Sequence, residues 1–183
     1  VKKYDVSVDY HPMALPTVFE QTGGVPLAKR HPARSAYRLL ELQRWREKRG
    51  LDFPLNPEFW PFDFNLADRI VIAICGQGLD PAAFLRGGFY AVWCEGRNLA
   101  DESTLAEVLE ASGYDSQAII TAAKTAEVDA IYKKNNDHAI EQGYFGSPVY
   151  VLNGEMFWGQ DRLDMLEEAL ESKRAPYKVP EAG

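Results

Sequence analysis

The stretch Tyr144-Phe145-Gly146-Ser147-Pro148-Val149-Tyr150-Val151-Leu152-Asn153-Gly154-Glu155-Met156-Phe157-Trp158-Gly159-Gln160-Asp161-Arg162-Leu163 decides the fold. Pro148 opens an apolar run, Asn153-Gly154 interrupts it, and a second apolar run follows. Asn-Gly between two such runs is the strongest short-range hairpin signal, because a type I′ turn needs φ > 0 at both central positions. Leu163, Met165, Leu166 and Leu170 then recur at helical spacing, so the segment reads strand, turn, strand, helix.

Working outward, Val6, Val8 and Tyr10 alternate with Ser7 and Asp9, which predicts a strand ended by Pro12. Residues 13–32 hold Pro16, Gly23, Gly24, Pro26 and Pro32 and read as a long turn-rich loop. Ala33 to Lys48 predicts a helix closed by Gly50. Residues 51–64 combine Pro54, Pro57 and Pro61 with Phe53, Phe59, Trp60, Phe62 and Phe64. Two readings stay open there: a cover over a pocket mouth, or an apolar cluster under a loop.

Asn65 is placed as the N-cap of a helix through Cys75. Asp80-Pro81 opens the next helix, which buries Phe84, Leu85, Tyr90, Val92 and Trp93. Asp101 and Asp115 open two more, and a last helical stretch runs from Glu127 to Glu141. The class is therefore α/β, with helices inserted between an early strand and a late hairpin. A strand–strand–helix entered by a proline is how a thioredoxin fold ends.

Composition narrows the functions. At 183 residues the chain reads as one domain. Its net charge of −7 is spread along the sequence, which argues against nucleic acid as a partner, since phosphate binding needs clustered Lys and Arg. The cluster Lys29-Arg30-His31 with Arg34 and Arg38 reads first as a solvated face and second as an anion contact. The longest apolar run, Ile70 to Cys75, is too short to span a bilayer. Cys75 and Cys94 form no Cys-x-x-Cys pair and read as inert buried thiols in a reduced cytoplasm. His11, His31 and His138 lack metal-ligand spacing.

Phe145-Gly146-Ser147-Pro148 and Gly154-Glu155-Met156-Phe157-Trp158-Gly159-Gln160-Asp161-Arg162-Leu163 resemble the 2-hydroxychromene-2-carboxylate isomerases and kappa-class glutathione transferases. Leu42-Gln43-Arg44-Trp45, Ala91-Val92-Trp93-Cys94-Glu95-Gly96-Arg97 and Ala111-Ser112-Gly113-Tyr114-Asp115 support the resemblance in the family's order. It runs from near residue 4 to near residue 172. It implies a single DsbA-like thioredoxin domain over residues 1–183, with a large helical insertion at 33–142. The implied activity is a glutathione-dependent isomerisation of unsaturated aromatic acids, with a kappa-type transferase as the alternative. A small aromatic substrate, a cytoplasmic location and a possible homodimer follow from the same resemblance; nucleic acid and membrane do not.

The resemblance also implies the cofactor site. Ser147, Pro148, Trp158, Gly159, Gln160 and Asp161 would hold glutathione, with the Ser147-Pro148 bond cis and its backbone edge turned to a cysteinyl peptide. The N–H groups of Gln160 and Asp161 would take the γ-glutamyl carboxylate, and the Asp161 side chain its ammonium. Read without a ligand, Asp161 is an N-cap. Asp63 and Asn65 are the candidate substrate contacts, and Gly24 stands where family members often place an asparagine.

One departure matters. The family's Ser-Pro-Tyr turn, whose serine faces the glutathione sulfur, does not occur, so no catalytic residue is assigned. The favoured expectation is that roughly two to three dozen N-terminal residues precede Val1, since a sheet lacking a central strand would leave ladder groups unpaired. Without that turn, a non-catalytic module that binds a thiol or peptide is the competing function.

Overall fold

The structure, a computed structural model, describes residues 3–180. Helix formation begins earlier than the prolines suggest. Helix α1, Leu15–Thr22, lies inside the expected loop, with Pro16 in its first turn and Val18 fully buried. Proline fits there because the first N–H groups of a helix have no intrahelical acceptor. Gly23, at φ 79°, ends the helix and returns its N–H to the Phe19 carbonyl. Helix α2, Pro32–Arg49, follows. A ring nitrogen of His31 accepts from the Ala33 N–H, and Gly50 closes the far end in the left-handed region.

The core is helical. Helix α3, Asn65–Gly76, buries Ile70, Val71, Ile72, Ala73 and Ile74 in succession, which only a helix enclosed on all sides can do. Around it stand α4, Ala82–Trp93; α5, Glu102–Ala111; α6, Ser116–Ala123; and α7, Ala126–Glu141. Helix α3 packs against α6 and α7, α4 against α5, and α1 against α7. Asp115 caps α6 through the Ala118 N–H, and Thr125 caps α7 through that of Val128. On α4, Phe84 and Val92 are buried as expected, whereas Tyr90 faces solvent.

The aromatic segment before α3 turns inward. Trp60 meets Phe62 and Phe64 edge-on and Trp93 at a tilt, and Phe53 meets Trp93 edge-on at 5.6 Å. Trp60 and Phe62 pack against the core, so the cluster reading holds for these rings.

The hairpin forms in the expected register. Strands β1, Val149–Leu152, and β2, Glu155–Trp158, are antiparallel, with Leu152 opposite Glu155 and Val149 opposite Trp158. Asn153 and Gly154 have φ of 52° and 85°, both positive as a type I′ turn requires. Helix α8, Leu163–Ser172, follows.

The early strand is corrected. Residues 6–10 form no regular element, and among the described residues the sheet has only β1 and β2. Alternating side chains specify a face, whereas a strand also needs a neighbour for its N–H and C=O groups, and among the described residues no strand pairs with this segment. Polar contacts hold the flanking residues instead. Tyr4 Oη donates to Glu167 and Glu171 of α8, both at 2.6 Å. Asn136 of α7 accepts the Ala14 N–H at 2.7 Å, and Asn135 donates to the Pro12 carbonyl at 3.2 Å.

Candidate functional site

Ser147-Pro148 is a cis bond, as expected, and both residues are exposed at the entry to β1. The Pro148 carbonyl accepts the Gly159 N–H at 2.9 Å, which joins the proline to the far end of β2. Gly146 is buried beneath Trp158. A Cβ at position 146 would collide with the indole Nε1, so only glycine lets the ring lie this close. Phe145 meets the same indole edge-on at 4.8 Å, while Trp158 keeps 49% of its surface exposed. The result is a half-open aromatic wall beside the proline.

Gly159 turns the chain from β2 into α8. Its φ of 104° is a conformation that side-chain-bearing residues rarely adopt, and the Asp161 carboxylate folds into the space a Cβ would fill. A 3₁₀ turn at Gln160–Arg162 follows before α8 begins. The N-cap reading of Asp161 is thereby corrected: α8 starts at Leu163 with no side-chain cap. The Asp161 carboxylate is instead half exposed and accepts from Arg162 Nη1 at 2.8 Å. Gln160 Oε1 accepts from Arg49 Nη2 at 2.7 Å, which ties the end of α2 to this turn. Six predicted residues, Ser147, Pro148, Trp158, Gly159, Gln160 and Asp161, therefore form one continuous surface.

Asp63 and Asn65 engage each other instead. Asp63 Oδ1 accepts the Asn65 N–H at 3.0 Å, and Asn65 is the first residue of α3 rather than its cap. The aspartate reaches the free N–H because its side chain spans two residues, whereas Asn65 lies already inside the helix. No hydrogen bond among the described residues links either side chain to the hairpin end.

Sequence reasoning missed two groups. Arg49 had no signal beyond a basic last turn. Asp68, one turn into α3, accepts from Tyr132 Oη at 2.7 Å. Burial, with the charge of Asp63 adding to it, pushes the Asp68 carboxyl up to about 6 despite that bond. Burial likewise pushes the Tyr132 hydroxyl up, so it stays a donor. Of the two cysteines expected to be buried, Cys75 is half-buried and Cys94 is exposed, its Sγ 3.2 Å from the Asp52 carbonyl. Cys94 lies just past the end of α4. Among the described residues no group of three or more His, Cys, Asp or Glu could hold a metal ion, and no helix is long and apolar enough to cross a membrane.

The model of the DSBA-like thioredoxin domain family matches residues 1–171. The chain belongs to that family. This DSBA-like domain is 32% identical over 170 residues to a 2-hydroxychromene-2-carboxylate isomerase of Pseudomonas putida, covering 91% of this chain and 81% of that one. That similarity places it in the isomerase and kappa-class branch. A 2-hydroxychromene-2-carboxylate isomerase of Sphingobium xenophagum is 27% identical over 165 residues, covering 89% of this chain and 82% of the other. Glutathione s-transferase kappa 2 of Caenorhabditis elegans is 26% identical over 169 residues, covering 86% and 73%. A solved structure of a 2-hydroxychromene-2-carboxylate isomerase superposes with a TM-score of 0.72 at 28% identity, covering 94% of this chain and 83% of that one. A mostly helical DSBA-like domain with a small sheet is therefore the shared architecture.

Proposed function

We propose that this protein is a glutathione-dependent isomerase of 2-hydroxychromene-2-carboxylate-type unsaturated aromatic acids. The observation that carries the reading is the run of relatives named for that isomerase, matched along nearly the whole chain. Glutathione comes from the kappa-class relative, whose name carries it. The hairpin end fits a γ-glutamyl-cysteinyl peptide. Ser147-Pro148 offers an exposed backbone edge, Trp158 an apolar wall, and Asp161 a half-exposed carboxylate for an ammonium.

When bound, glutathione supplies a nucleophilic thiolate that adds reversibly to the unsaturated acid and so permits rotation about the former double bond. The chain's own residues do the holding. Ser147 presents its main chain to the peptide, Gln160, fixed by Arg49, sets the position of the turn, and Asp161 orients the amino end. No residue here is assigned to activating the thiol. Cys75 and Cys94 are both free thiols, which supports a reduced cytoplasm. A kappa-type transferase is the second reading, on the C. elegans relative.

The test is an assay panel with and without glutathione: isomerisation of hydroxychromene carboxylate, conjugation of chloro-dinitrobenzene, and insulin reduction. Glutathione-dependent isomerisation is the expected result. Conjugation alone selects the transferase, and dominant insulin reduction refutes both. Inactivity throughout moves the assignment to a thiol- or peptide-binding module.

A further inference from the structure

Charge is unevenly distributed along this acidic chain. Residues 29–49 hold eight of its 20 lysines and arginines and only Glu41 and Glu47 on the acidic side. They form α2 and its approach, and α2 buries none of its residues. Arg34 and Arg38, four positions apart, share one side of α2, and Arg30 lies in the extended approach to it. Together with Ala33, Tyr37 and Glu41 they line a shallow, open groove on the surface of α2.

The arginines lack counter-charges. Among the described residues none of the three is in an ion pair, and the lining carboxylate, Glu41, is engaged by Arg44 instead. Arg30 donates through Nε to the Val25 carbonyl at 3.0 Å, which anchors the side chain and leaves both terminal nitrogens for another acceptor. Arg38 is half-buried. Burial, and then the charge of Arg30, hold its guanidinium below its ordinary value. Arg34 and Arg38, like charges four positions apart on α2, destabilise the helix, a repulsion that an oxyanion would remove. Guanidinium forks match carboxylate and phosphate oxygens two at a time, and the exposed Tyr37 ring adds an apolar wall.

We infer that the open groove lined by Arg30, Arg34, Tyr37 and Arg38 is a binding site for a small molecule carrying at least two negative charges on phosphate or carboxylate oxygens. It stands apart from the hairpin end, because Arg38 lies about 16 Å along the helix from Arg49, at 1.5 Å per residue. The inference does not depend on the proposed reaction.

Isothermal titration at low ionic strength with pyrophosphate and with citrate tests it. Wild type is compared with Arg34→Gln/Arg38→Gln and with Lys133→Gln/Lys134→Gln, which removes equal charge from an exposed stretch of α7. Saturable one-to-one binding of either anion is expected, about tenfold or more weaker in the arginine double variant and unchanged in the lysine one. A preference for pyrophosphate assigns a phosphate ligand, and one for citrate a polycarboxylate. Without anion, the arginine variant should melt at a higher temperature than wild type, which rules out misfolding as the cause of lost binding. Failure of both anions to bind wild type, equal affinity in the arginine variant, or equal loss in the lysine variant would overturn the site. Displacement of the bound anion by glutathione would show it to be part of the hairpin site instead.

Discussion

Arg49 Nη2 donates to Gln160 Oε1 at 2.7 Å across 111 positions of chain. The contact fixes the last turn of α2 against the turn that follows β2, and so sets how far the candidate glutathione surface can shift. Arg49→Ala should therefore weaken glutathione binding two- to fivefold while costing less than about 1 kcal/mol of stability, since the pair is partly exposed. Calorimetry on both proteins checks it. Equal affinities would place the contact outside the binding surface.

Asp161 offers a sharper test. Its partner in the free protein, Arg162, is nearly half exposed, so losing that pair changes stability little. A charge-assisted bond to an ammonium contributes more. Asp161→Ala should cost about 1–3 kcal/mol of glutathione binding and leave the melting temperature almost unchanged. Unchanged affinity would remove the carboxylate from the site.

Gly159→Ala should be destabilising by about 1–3 kcal/mol, because φ 104° is strained for alanine and its Cβ meets the Asp161 carboxylate. The two effects separate in a double-mutant cycle. Gly159→Ala should cost less in an Asp161→Ala background, where the collision is gone and only the backbone strain persists. An equal cost in both backgrounds would show that the carboxylate gives way freely.

Asp68 gives a pH dependence. Its folded value of about 6 lies above the ordinary carboxyl value of 3.8, so between the two the folded protein binds the extra proton. Its contribution to stability is full below the ordinary value and is lost as pH rises through 6. Asp68→Asn keeps an acceptor for Tyr132 and removes the buried charge. It should stabilise the protein by about 1–2 kcal/mol at pH 7.5, with the gain shrinking toward pH 4.5. Denaturant melts across that range check it, and a gain independent of pH would refute the assignment.

Some of this was written in the sequence alone. Asn153-Gly154 dictated the hairpin, because the type I′ turn depends on the two residues that occupy it. The same turn brings Ser147-Pro148 alongside Trp158 and Gly159, whose reading as a glutathione surface came from the family resemblance. The cap of α6 by Asp115 was equally local.

What depended on distant parts of the chain had to wait for the tertiary structure. Alternation in Val6–Tyr10 fixed which side chains share a face but could not supply a neighbouring strand. Pro16 reads as a breaker or a starter according to whether Val18 finds a core to enter. Asp161 looked like a cap, and became a half-exposed carboxylate paired with Arg162 because Gly159 leaves room for it to fold back. The Arg49–Gln160 contact and the buried Asp68–Tyr132 pair join residues 111 and 64 positions apart. Turns and caps are settled by neighbours in sequence, whereas pairing, burial and the fate of a charge are settled by what the fold brings alongside.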